Sequence, residues 1–134
     1  MMDKLMENVA AFRKACGEPV STNPHLLTQD REDRNAKLIL SKIDHDLTTE
    51  MHEGNLVGIA KGIAEAIYTL VGTALEYGIP LDNVWEEIHF TNMAKVDPAT
   101  DMVAKTPSGT IIKPAGWKQP NIKKALMTRT EADI

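Results

Sequence analysis

A single cysteine, Cys16, in 134 residues rules out an intrachain disulfide, which suits a reducing compartment. That thiol is expected to be buried and structural. Aromatic residues are also scarce, at 4% against a hydrophobic share of 43%. A core of this composition is aliphatic, built from Leu, Ile, Val, Ala and Met, which favours packed helices over a β-sandwich. Positive charge is in deficit: the formal net charge is −4, which argues against a surface for nucleic-acid polymers. No uninterrupted apolar run reaches the roughly 18 residues that span a bilayer. The opening "MMDKLMENVAAFRKACG" carries acids where a secretory signal has an apolar region. The expectation is one compact cytoplasmic domain with no membrane partner.

The usual chemical signatures are missing as well. The chain has no Walker-type phosphate loop, dinucleotide fingerprint, CxxC pair, His-Glu-x-x-His helix or serine in a nucleophile elbow. No two of His45, His52 and His89 fall at i,i+3 or i,i+4, so a histidine-only metal site is not expected.

What the sequence does have is helical periodicity. Residues 2–16 read as an amphipathic helix with Leu5, Val9 and Phe12 on one side, ended by Gly17 and Pro19. "EPVSTNPHLLTQD" reads as a loop. A second helix is predicted from Arg31 to His52, with a stripe of Ala36, Leu40, Ile43, Leu47 and Met51. A third runs from Leu56 to Tyr77. It is apolar nearly all round and interrupted by Lys61, Glu65 and Glu76, which make it too polar for a membrane span. A helix of that kind is expected to be buried on every side. A chain this short can hardly surround it, so burial by a second copy is expected. The small residues of "GIAKGIA" allow neighbours to approach closely. "YGIPLD" stops this helix and starts another over residues 83–93, with Asp82 as its cap. Beyond Lys95, "MVAKTPSGTIIK" reads as a β-hairpin turning at Pro-Ser-Gly. "KPAGWKQPNI" reads as an irregular arm, and 121–127 as a last short helix.

Polar groups on these helices are the candidates for chemistry. Lys42 and Asp46 share a face, as do Lys61 and Glu65. Exposed i,i+4 ion pairs are one reading, worth a few tenths of a kcal/mol each; lining of a site is the other. Asp46, Glu50 and Glu53 recur along one side, either as ligands for a hard cation or as a solvated acidic face. Trp117 serves either packing and anchoring of the arm or stacking on a planar ring.

The order of three segments carries a resemblance: "NVAAFRKACGEPV", then "EGNLVGIAKGIAEAIYTLVGTALEYGIPLDNVWEEIHFTNMAKVD", then "GTIIKPAGWKQPNI". Together they resemble the MazG-like, or phosphoribosyl-ATP pyrophosphohydrolase-like, all-α nucleotide pyrophosphatases, in the branch often labelled Cof-like and common in phages. The resemblance implies a dimeric or tetrameric helical bundle over residues 1–95, with hairpin and arm over 96–134. It also implies Mg²⁺-dependent hydrolysis of a nucleoside triphosphate to the monophosphate and pyrophosphate. The family's metal ligands come from an EExxE motif and a following D-x-x-x-D. Those positions fall here at Lys42, Ile43 and Asp46, and at Lys61 and Glu65. Two acids have become lysines and one an isoleucine.

The implied reading is a nucleotide-binding protein whose hydrolysis is lost or weakened, one that sequesters or senses a nucleotide. Lys42 and Lys61 would pair with phosphates, with Asn92 and Lys95 of "TNMAK" beside them. Trp117 would stack on a base, flanked on the arm by Lys113 and Lys118, and Tyr68 would share the face of Glu65. This reading needs no cofactor. The alternative is an active pyrophosphohydrolase with Mg²⁺ on Asp46, Glu50 and Glu65 and Glu53 further off. A second alternative is a protein-interaction module.

Overall fold

The computed structural model describes residues 1–127; the last residues of the expected arm, 128–134, lie outside the described residues. The described chain is mostly helical, as expected of an all-α protein. It forms two compact units, residues 1–81 and residues 82 onward. The first holds α1 (Met2–Ala15), α2 (Gln29–Leu40), a π-helical segment (Ser41–Leu47), α3 (Thr48–Glu53) and α4 (Leu56–Tyr77).

Local chemistry sets the ends of these helices. The Thr28 hydroxyl accepts the Arg31 N–H at 3.4 Å and caps α2, whose first turn carries Asp30 and Glu32 and whose last turn carries Lys37. The Asn55 side chain accepts the Gly58 N–H at 3.2 Å and caps α4. Gly78 closes α4 in the left-handed conformation, φ 70°. Its N–H donates to Leu75 O at 3.2 Å and the Ile79 N–H to Ala74 O at 2.9 Å, the two bonds of a Schellman motif. A side chain there would also overlap the carbonyl of Asn23. That loop is tied down on both sides: Ser21 N–H donates to Leu75 O at 2.9 Å and His25 N–H to Tyr77 O at 3.0 Å.

The helix predicted from Arg31 to His52 is helical throughout but changes pitch. Over Ser41–Leu47 it is a π-helix. The hydroxyl of Thr48 donates back to Asp44 O, and that of Thr49 to His45 O at 2.6 Å. Such back-bonding bends helices and competes with the regular ladder. The wider turns break the predicted stripe. Ile43 and Leu47 are half-buried, whereas Ala36, Leu40 and Met51 stay exposed. The inward residue of α2 is polar instead. Asn35 is buried, donating to Arg31 O at 2.8 Å and accepting from the Thr73 hydroxyl at 2.8 Å.

The apolar core of this unit is small. Val9, Val71 and Leu75 are buried together, with Met6, Ala10, Val20 and Leu81 packed against them. The small residues of α4 act as expected at Gly62, where a Cβ would press on Leu47 of the π segment. One expectation is corrected: Cys16 is exposed, because it stands at the C-terminal cap of α1, one turn past the packed part of the helix. The single chain does not surround α4, as its length implies: Ala66, Val71 and Leu75 are buried, while Ile63, Ile67 and Leu70 are 43–47% exposed. By length and composition alone α4 qualifies as a membrane span despite its charges. Those charges all find partners in the chain, as set out below.

The second unit is built on α5 (Leu81–Met93). Two short antiparallel strands follow, β1 (Val96–Asp97) and β2 (Met102–Val103), pairing Val96 with Val103 and Asp97 with Met102. Asp101 completes the turn between them at φ 58°. Around Pro107–Gly109, the predicted turn, the ladder is one bridge between Lys105 and Ile111. It is supported by Thr106 N–H to Thr110 O at 2.8 Å and Ile112 N–H to Ala104 O at 2.8 Å. Prolines 107 and 114 remove donors that a longer ladder would need. The arm then runs along α5, with Asn121 N–H donating to Glu87 Oε1 at 2.9 Å, and ends in α6 (Ile122–Met127).

Candidate functional site

The sequence-derived candidates fall into separate groups. In the first unit, the π segment, α3 and α4 line a groove of about 330 Å³ that contains Asp46, Glu50, Lys61 and Glu65. The α4 side depends on Gly58 and Gly62, whose missing side chains leave room for Glu50 and Leu47. Lys42 reaches from the π segment to α4. Its Nζ lies 3.4 Å from Glu65 Oε2 and 3.9 Å from Asp46 Oδ2. Lys61 approaches Glu65 Oε1 at 3.7 Å and is 76% exposed. Glu50 accepts from the Asn55 side chain at 2.9 Å, and His45 Nδ1 lies 3.0 Å from Asp46 Oδ1. Glu53 is exposed on α3.

Three carboxylates and two ammonium groups leave this groove negative, so it offers a phosphate little attraction. The pairs are solvent-accessible, and such pairs contribute only about 0.2–1 kcal/mol each. What matters is their placement: a protein cation stands between an acid of the π segment and an acid of α4. Among the described residues no three acidic, histidine or cysteine side chains converge as a metal-ligand group. A Mg²⁺ drawn to Asp46 and Glu65 meets the Lys42 ammonium first, so this donor set does not fit the metal. Lys42 and Lys61, the expected phosphate contacts, both face acids of the chain itself.

Tyr68 does not join that groove. Its ring meets Phe12 edge-to-face, with centroids 6.1 Å apart at 70°, and lines a different cavity beside α1.

The remaining candidates come together in the second unit. The indole N–H of Trp117 donates to Thr91 O at 2.8 Å, which fixes the ring against α5. Lys113 Nζ lies 4.7 Å and Lys95 Nζ 5.1 Å from its ring centroid, both cation–π distances. Asn92 Oδ1 accepts from Lys95 at 3.2 Å. Beside the ring is a groove of about 440 Å³ lined by Phe90, Trp117, Lys118 and Glu87 among others. That volume falls in the usual range for small-molecule sites, about 300–1,000 Å³. Three lysines against Glu87 make this surface cationic, and two aromatic rings give it planar area. An aromatic ligand with an anionic tail suits it.

Sequence reasoning missed an ionic network in the first unit. Glu76 of α4 is 2% exposed. It accepts from Arg13 Nη2 at 2.7 Å and from Arg31 at 2.6 and 2.8 Å. Glu18 accepts from Arg31 at 2.9 Å and Arg34 at 2.7 Å. Hydrogen bonds from Arg31 above all hold both carboxyls below their usual range, against burial, which acts the other way. The Glu76 bonds in turn raise the Arg31 guanidinium. The available signal was an acid in the apolar last turns of α4 with no i,i+4 cation beside it, but its partners lie 45 and 63 positions away, beyond any spacing rule. No protein-family model matches this chain, and no curated protein matches it.

Proposed function

We propose that the chain is a nucleotide-binding protein on a MazG-like all-α scaffold, with metal-dependent hydrolysis lost or weakened. The observation that carries this reading is the Trp117 cluster: a fixed indole with two ammonium groups over it and a third lysine in the adjoining groove. A base displaces an ammonium from the indole, and the displaced cation pairs with the phosphates. Lys95, Lys113 and Lys118 are then the phosphate contacts, and Asn92 orients Lys95. Loss of hydrolysis is supported by Lys42 between Asp46 and Glu65. An ammonium there repels Mg²⁺ by several kcal/mol even at an effective dielectric near ~20.

Calorimetry with nucleoside mono- and triphosphates in EDTA tests this. Binding without metal is expected. Trp117→Ala should weaken it by roughly 5- to 150-fold, since stacking on one aromatic side chain is worth ~1–3 kcal/mol. Trp117→Phe should retain part of the affinity. Binding that requires Mg²⁺ and ends in pyrophosphate release would restore the hydrolase alternative. Absence of binding to every nucleotide would leave the interaction module.

The second partner in this reading is another copy of the chain. Ile63, Ile67 and Leu70 form an exposed stripe on α4 at i, i+4 and i+7. Light scattering should give at least twice the 14.8 kDa chain mass, and Ile67→Lys should shift it toward the monomer. A monomer at tens of micromolar wild-type chain would overturn the assignment.

A further inference from the structure

We infer that the arginine-walled cavity of the first unit binds a small planar monoanion, an aromatic or heterocyclic carboxylate. The cavity measures about 190 Å³ and lies where α1, α2 and α4 meet. An apolar cavity of about 150 Å³ accommodates benzene. This one has room for one ring and a small substituent and is open to solvent on one side.

Its walls divide by chemistry. Val9, Phe12, Leu38 and Tyr68 supply apolar surface, and the edge-to-face pair of Phe12 and Tyr68 makes one side aromatic. Arg13, Arg31 and Arg34 line it together with Glu18 and Glu76, so one positive charge is in excess.

That excess is localised. Glu76 is saturated by Arg13 and Arg31, and Arg31 also serves Glu18. Arg34 gives a single nitrogen to Glu18 at 2.7 Å and is 63% exposed. Its other N–H groups have no partner among the described residues, so its fork can take a carboxylate through two parallel bonds. The Tyr68 hydroxyl, also without a hydrogen-bond partner among the described residues, is a second donor on the wall. A ring against Phe12 and Tyr68 with its carboxylate at Arg34 satisfies both halves of the cavity. This site shares no residue with the Trp117 cluster, and its test does not depend on the nucleotide reading.

Cys16 is exposed, lines the cavity and is the only cysteine of the chain, so its thiol reports occupancy. The experiment uses the full chain with benzoate as the probe. Benzyl alcohol serves as its neutral counterpart and acetate as the ringless acid. Saturation-transfer NMR measures binding, and the rate of Cys16 alkylation by iodoacetamide locates it. Benzoate is expected to give a saturable signal and to slow alkylation several-fold. In Arg34→Gln the affinity should fall at least tenfold and the slowing of alkylation should vanish at the same benzoate concentration, while the helical signal by circular dichroism should match wild type. Benzyl alcohol and acetate should each be at least tenfold weaker than benzoate. No saturable benzoate signal overturns the proposal. So does a signal unchanged in Arg34→Gln without Cys16 protection, which places the binding elsewhere. Equal effects from benzyl alcohol reduce the cavity to an apolar patch and overturn it as well.

Discussion

Glu76→Leu is expected to lower the free energy of unfolding by about 3 kcal/mol, the low end of the range for breaking a buried ion pair. Glu76 is 2% exposed and accepts three hydrogen bonds, at 2.7, 2.6 and 2.8 Å, from Arg13 and Arg31. Removing it strands Arg13, 15% exposed, with Pro19 O at 3.1 Å as its remaining partner. Arg31 is 30% exposed and keeps Glu18, which is why the low end applies. Domains of this size hold about 5–15 kcal/mol in total, so the loss is a large share. Urea unfolding reads it as a lower midpoint at unchanged slope. A loss below ~1 kcal/mol, the scale of an exposed pair, would show that the network does not hold the unit together. Adding Arg13→Met and Arg31→Met should recover part of the loss by removing the stranded charges.

Acid should act on the same network with a definite sign. Glu76 and Glu18 are held below their ordinary values, chiefly by hydrogen bonds from Arg31. A carboxyl depressed in the folded state binds fewer protons there than in the unfolded chain. Its stabilisation is complete above the unfolded value, about 4.3 for Glu, and is lost as pH falls through the folded value. Wild-type stability should therefore decline on acidification below that point. The Glu76→Leu profile should be flatter, with Glu18 left as its main source of slope. Arg31 is shifted upward and contributes nothing in this window.

How legible all this was in the sequence depended on the range of the interactions. α4 was readable from Leu56 to Tyr77 because its start and stop are local: the Asn55 cap and the Gly78–Pro80 break. The all-α character followed from composition and period. The pitch of the second helix was not readable. Its apolar spacing continued through residues 41–47, while Thr48 and Thr49 donated back to the main chain and changed the turn. The exposed position of Cys16 was missed because the residue type suggests burial and only its place at a helix end says otherwise. In the candidate site, i,i+4 spacing did find Lys42–Asp46 and Lys61–Glu65. It could not find the 3.4 Å approach of Lys42 to Glu65, which links two helical segments 23 residues apart. Tyr68 was assigned to the face of Glu65, yet its ring turns to Phe12 of α1. The anchoring of Trp117 on Thr91 O likewise depends on a return of the arm that no period encodes.

The double substitution Lys42→Glu with Lys61→Asp is expected to create a divalent-cation site where the wild type has none of comparable strength. In wild type, Lys42 and Lys61 offset two of the three carboxylates Asp46, Glu50 and Glu65 around one groove. Reversing both lysines turns one excess negative charge into five, and places five carboxyl groups around a groove of about 330 Å³. Without metal this crowding repels itself, so the melting temperature of the variant should fall below wild type. A hard cation with oxygen ligands relieves the repulsion. Binding to the folded state adds RT ln(1 + [M]/Kd), which is about 2.7 kcal/mol at a hundred times Kd. Millimolar Mn²⁺ or Mg²⁺ should therefore raise the variant's melting temperature by several degrees and leave wild type within about a degree. Calorimetry should show one Mn²⁺ per chain in the variant, with Kd below ~1 mM, the weak end of protein calcium sites. Equal metal responses from both proteins would mean that the two lysines do not exclude the cation. Metal binding gained by the variant would show that the charge balance set by Lys42 and Lys61 together keeps the cation out, since Asp46, Glu50 and Glu65 are unchanged between the two chains.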